Sequence, residues 1–152
     1  MAKLKIGAKT FLYPMPVVLV GATVNGKPNF ATVAYCGIMN HDPATIAVAL
    51  SKTHYTNAGI KEHGCFSVNI PCAEMMAATD YCGLFSGSRV DKSKIFKTFC
   101  GTLKKAPMIE ECPVNMECEL IQTLQFSMDE VFIARIAQAY SQKKYMTKGL
   151  PD

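Results

Sequence analysis

"PVVLVGATVNGKPNFATVAYCGIMN", Pro16 to Asn40, carries two strand-like runs around an Asn-Gly pair, and its reading sets the architecture. Pro16 to Val24 is apolar and β-branched, Asn25 to Pro28 supplies the turn, and Asn29 to Asn40 resumes strand character. An Asn-Gly pair between such runs is the strongest short-range hairpin signal, because both turn residues must adopt positive φ. A further turn at Asp42-Pro43 leads into a third strand, Thr45 to Ser51. Three successive strands joined by short turns follow antiparallel logic.

Working outward, "SKTHYTNAGIKEHG", Ser51 to Gly64, predicts a short helix that Thr53 or Thr56 can cap and Gly64 can end. "CFSVNI", Cys65 to Ile70, reads as a strand. Cys72 to Gly83 reads as a second helix closed by its glycine, and Ser86 to Lys94 as a polar loop. Val114 to Phe126 alternates like a strand. Asp129 to Ser141 suits strand or helix by composition, and its β-branched start after the turn-like Ser127-Met128-Asp129 favours strand. Six or so strands with two short helices predict a mainly β, antiparallel barrel, since closure would remove exposed edges.

The 152 residues, 49% hydrophobic and 18% charged, fit one domain, with no repeat, low-complexity tract or linker. No apolar run approaches the ~20 residues of a membrane span, and "MAKLKIGAKTFLYP" has no continuous apolar stretch of a signal peptide. Seven cysteines without a CxxC pair predict free thiols in a reducing, cytoplasmic setting and no zinc site. Most of them read as small buried hydrophobes. A net charge of +4, scattered along the chain, is too weak a footprint for nucleic acid and suits small anions instead.

The chemistry concentrates before the first helix. A helix N-terminus gathers unpaired N–H groups and partial positive charge. Ser51, Lys52, His54 and Thr56 add hydroxyls, a full charge and an imidazole there, where capping needs one side chain. The surplus points to a phosphate, against the plainer reading that Ser and Thr cluster at helix starts for local reasons. Elsewhere His41 and His63 read as surface residues, Asp80 and Tyr81 as packing and capping groups, and Met75 and Met76 as interface or core filler. Asp129 and Glu130 have no partner carboxylate at useful spacing, so no general acid/base pair is evident.

The order of several segments resembles the flavin reductase-like domain family, the FMN-binding split barrels that include flavoredoxin. They are Pro14-Met15-Pro16 before the first strand, "NGKPNFAT" (25–32), "DPATIAVAL" (42–50), "SKTHYT" (51–56), "FSVNIP" (66–71) and "DYCGLFSGSRVDKSK" (80–94). The likeness covers nearly the whole chain. It implies an antiparallel split β-barrel with a few short peripheral helices, one domain over residues 1–152, and a homodimer holding FMN near the subunit interface. It places Ser51, Lys52, His54 and Thr56 around the phosphate. Thr32, Val33, Ala34, Tyr35 and Cys36 would run beside the ring and ribityl chain, with Ala49 and Leu50 backbone nearby and Lys92 approaching from the polar loop.

Read without the likeness, Lys92 is a solvated loop residue, Cys36 a core thiol and His54 a surface residue. With it, a cation near the flavin N1–C2=O edge would stabilise the negative charge that develops on hydride transfer to N5. About 30 mV of two-electron potential corresponds to about 1.4 kcal/mol, so one lysine could tune the couple. The family usually continues beyond a "GLPD"-like segment with a tail that this sequence, stopping at Gly149 to Asp152, lacks. The implied activity is an FMN-dependent oxidoreductase taking hydride from NADH or NADPH, its chemistry centred on the cofactor, with no catalytic side chain and no metal. The alternative is a flavoredoxin-like carrier exchanging electrons with a redox protein partner. A flavin-free split barrel serving only as a binding module is disfavoured by the intact phosphate-end residues.

Overall fold

A computed structural model describes residues 1–151. The expected hairpin forms from β1 (Val18–Val24) and β2 (Lys27–Val33), paired from Val18 opposite Val33 to Val24 opposite Lys27. Asn25 (φ 49°) and Gly26 (φ 76°) make the turn, both in the positive-φ region that a tight hairpin demands. Then follow β3 (Cys36–Asn40), β4 (Thr45–Ser51), α1 (Thr56–His63), β5 (Cys65–Ile70), α2 (Met76–Leu84), β6 (Thr98–Phe99), β7 (Met108–Ile109), β8 (Val114–Gln125), β9 (Asp129–Ser141), β10 (Met146–Thr147) and β11 (Leu150–Pro151). Seven strands make one sheet in the order β2-β1-β5-β8-β9-β4-β3, antiparallel throughout.

One apolar cluster draws Val20 of β1, Ala31 of β2, Val48 of β4, Phe66 of β5, Cys118 of β8 and Phe132 of β9 together with Ile60 of α1. Inner faces from across the sheet therefore meet in one interior, as in a barrel. Hydrogen-bonded closure, however, is missing. The sheet ends at β2 on one side and β3 on the other, and the chain steps between these edges through Ala34 and Tyr35. A mainly β split barrel is thus observed, and the single strand expected over Asn29 to Asn40 is two. The break has a tertiary cause, since the Tyr35 carbonyl turns away from any β2 or β3 partner and accepts the Ala49 N–H at 2.8 Å.

A second cluster, with Leu19, Phe30, Met75, Cys82, Phe96 and Ile109, packs α2 against β1 and β2. Met75 is core while Met76 is exposed. Asp129 to Ser141 resolves as strand because β4 and β8 pair with it on both sides. Two helix ends differ from expectation. The Tyr55 position caps α1 and supplies no side-chain bond, while Thr56 turns inward and accepts from Asn29 Nδ2 at 2.8 Å. Gly64 does end α1, at φ 62° with its N–H on the Ile60 carbonyl, whereas α2 runs one residue past Gly83 before Phe85 N–H bonds Tyr81.

Helix α1 lies on β1 with no side chain between them at Gly59, where an added Cβ would overlap the Thr23 carbonyl. Backbone cannot yield as a flexible side chain does. Gly59→Ala is therefore expected to cost about 1–3 kcal/mol by overpacking, read as a lowered urea midpoint at unchanged m.

Candidate functional site

Edge strand β2 needs partners for its outward polar groups, and two arrive from α2 and the loop after it. Thr32 Oγ1 donates to the Thr79 carbonyl at 2.5 Å. Lys92 Nζ donates to the Phe30 carbonyl at 2.9 Å and the Cys82 carbonyl at 2.8 Å, clamping β2 to α2. The lysine is only 4% exposed, so the solvated-loop reading of it is corrected. Burial pushes its pKa below the usual lysine value, with Cys82 acting weakly the other way. An ammonium has three N–H groups, and carbonyls take two of Lys92's.

The loop reaches this position because residue 87 has no side chain. A Cβ on Gly87 would collide with Asn29 Oδ1 and Tyr55. Outside, Asp91 Oδ2 pairs with Lys27 Nζ at 2.8 Å and Asp91 Oδ1 accepts the Ser93 N–H at 2.9 Å.

The facing wall is the turn before α1. His54 N–H bonds the Ser51 carbonyl at 2.9 Å and the Ser51 and Thr53 hydroxyls lie 3.0 Å apart. His54 is half-buried, its Nδ1 fully enclosed and without a partner among the described residues. Burial, and after it the charge of Lys92, pushes the imidazole below 6.5, while Asp129 acts oppositely. Lys92 keeps one N–H that neither carbonyl takes, and its charge at this place favours an anion. Together with an α1 start that no side chain caps, it makes the residues fit the phosphate end of a nucleotide.

Thr32, Thr53, His54, Thr56, Gly83 and Lys92 enclose a cleft of about 160 Å³ between these walls. That is below the roughly 300–1,000 Å³ of a whole-ligand pocket, so the cleft suits one end of a larger molecule. Of the residues singled out from sequence, Thr32, His54, Thr56 and Lys92 line it. Ser51 sits at its border through Thr53, and Lys52 is exposed with its N–H on the Met128 carbonyl at 3.0 Å. Val33, Ala34, Tyr35, Cys36, Ala49 and Leu50 form a second group at the step between β2 and β3. There Val33 and Leu50 are core and Cys36 packs on the core, its thiol pKa raised by burial. Sequence reading missed Asn29, Tyr55, Ser86 and Gly87 as lining residues. Asn29 reads as the first residue of a strand, and nothing local marks its side chain as inward.

Residues 10–148 match the model of the flavin reductase like domain. An uncharacterized protein of Archaeoglobus fulgidus is 30% identical over 128 residues, 83% of this chain and 72% of that protein. The crystal structure of flavoredoxin from Methanosarcina acetivorans superposes with a TM-score of 0.98 at 47% identity, covering 100% of this chain and 82% of that one. Flavoredoxin of Desulfovibrio vulgaris gives 0.90 at 34% identity, covering 99% and 83%.

Lys92→Met keeps the aliphatic stem and strands two carbonyls. It is expected to destabilise the protein by about 2–4 kcal/mol in urea denaturation, whereas a loss under about 1 kcal/mol would mean water replaces the ammonium.

Proposed function

The chain belongs to the flavin reductase-like domain family, and on that premise we propose that it is an FMN-binding oxidoreductase using NADH or NADPH. The observation carrying this reading is the cleft at the start of α1 that Thr32, His54, Thr56 and the buried Lys92 line together. In this reading Ser51, Lys52, His54 and Thr56 hold the FMN phosphate, and Lys92, which the resemblance puts by the ring or ribityl chain, shares the cleft that His54 and Thr56 line. Thr32 through Cys36, with the Ala49 and Leu50 backbone, line the remainder of the cofactor. When bound, FMN supplies hydride and electron transfer at N5, so the chain's residues bind and orient and none must act as acid or base. Lys92 is positioned for this by bonds that do not depend on the ligand, which spares the reorganisation a mobile lysine would need.

The reading extends to a homodimer. Edge strand β3 exposes Ile38 (65%) and Met39 (61%), and β8 with the residue after it exposes Ile121 and Phe126. A second subunit would cover such surface, which a monomer seldom presents. Seven free thiols support a reducing, cytoplasmic setting, and no helix among the described residues is long and apolar enough to cross a membrane.

Two outcomes are expected. Lys52→Ala with His54→Ala raises the FMN dissociation constant at least tenfold, about 1.4 kcal/mol, by fluorescence titration; unchanged affinity would remove the phosphate assignment. Anaerobically, NADH or NADPH bleaches the bound flavin's visible band within seconds. Bleaching by a chemical reductant alone would overturn nicotinamide dependence and leave electron exchange with a protein partner.

A further inference from the structure

Strand β3 bonds β4 alone, and the seven-stranded sheet ends there. It carries no charged side chain and no proline, the residues that commonly guard a free edge. Its one irregularity, a register shift after Ile38, falls on the β4 side. The faces of the strand are bare as well. Ile38 shares a face with Cys36, two residues before it, yet Cys36 packs on the core and Ile38 is 65% exposed. Met39, next in the chain, is 61% exposed.

A second uncovered element runs beside this one. Residues 1–14 are exposed throughout and form no helix or strand. Thr10 Oγ1 lies 3.4 Å from Tyr35 Oη, which brings this arm past the residue that precedes β3. Leu4 (87%), Ile6 (64%), Phe11, Leu12 and Tyr13 nevertheless remain exposed. Lys3-Leu4-Lys5-Ile6 alternates charged and apolar residues, the period of a strand with one wet and one covered face.

An alternating arm without a sheet and a sheet edge without a strand have complementary needs, which strand addition meets. The chain's own arm passes β3 without pairing to it, so the match is with another copy. In an isologous pair built on this edge, each arm leaves from beside its own Tyr35 and crosses directly onto the other subunit. We propose that the N-terminal arm of a second copy adds to the free edge of β3, with Leu4 and Ile6 covering Ile38 while Lys3 and Lys5 stay in water. The proposal rests on the homodimer reading and names the segment that crosses. Because β3 starts at Cys36, the arm also closes the end of the site where the flavin reading puts Tyr35 and Cys36.

Two measurements on the full chain test it. In the first, Leu4 is replaced by the photoreactive p-benzoylphenylalanine, the protein is irradiated, and the joined peptides are identified by mass spectrometry. A product of dimer mass joined within residues 36–40 is expected. A product of monomer mass joined at those residues would overturn the proposal, because the arm would then cover its own strand. In the second, sedimentation compares the chain with the double variant Leu4→Ser, Ile6→Ser. Both side chains are exposed, so the variant keeps its far-ultraviolet circular dichroism. Its dimer dissociation constant is expected to rise at least about tenfold, since two apolar side chains leave the interface. A dimer indifferent to the variant, or cross-linked only elsewhere, would remove the arm and leave the homodimer reading standing. A wild-type chain that sediments as a monomer at every concentration would remove both.

Discussion

A single buried ammonium joins what the open sheet leaves apart. Because β2 is an edge, its Phe30 carbonyl has no strand to bond, and α2 ends with the Cys82 carbonyl facing the same space. Lys92 satisfies both at 2.9 and 2.8 Å. Removing an ammonium from water is costly, and two carbonyl acceptors recover only part of that loss. The remainder shows as the depressed pKa, which desolvation dominates. The cleft exists because this compromise is made there, so edge protection and site construction are one event.

Similar polar ties hold the rest of the frame in register. Glu117, fully buried on β8, accepts Tyr140 Oη–H at 2.8 Å and the Leu103 N–H at 2.8 Å, fastening the segment before β7 to the sheet. Asn69 reaches four ways, to the Leu19 carbonyl, Ser67 Oγ, the Ile109 N–H and Asn115. Glu130 collects Asn57, Lys61 and Gln125, so α1 is anchored to β9 from the side opposite its contact with β1. Burial works to raise the Glu130 pKa and these three donors outweigh it, leaving the pKa below the usual glutamate value. The stability they contribute is therefore present above the unfolded glutamate's pKa and fades as pH falls through the lower folded value.

Much of this was legible in the sequence where the cause is local. The β1–β2 hairpin, β4, β5 and β8 follow from alternation and turn chemistry within a few residues of themselves, whereas β9 is settled by its two neighbours. The break at Ala34 and Tyr35 carried no glycine or proline to announce it, and its reason, the Ala49 N–H, comes from another strand. The charge and hydroxyls before α1 stand out in the sequence, yet Thr56 caps nothing and faces Asn29 instead. Lys92 was the hardest to read, since Asp91, Ser93 and Lys94 around it spell a wet loop. What buries it are carbonyls 62 and 10 residues away, and only the glycine at 87 lets the loop arrive.

The two cations of this region differ in how freely they can change. Lys92 cannot be altered without also loosening the edge of the sheet, because the Phe30 and Cys82 carbonyls both depend on it. Arg89 is exposed and its side chain has no hydrogen-bond or ion-pair partner among the described residues. Substitution along the exposed Ser88–Arg89 rim should therefore disturb the frame less than substitution of the lysine beneath it. The fold thereby separates the residue that makes the site possible from those that can be revised.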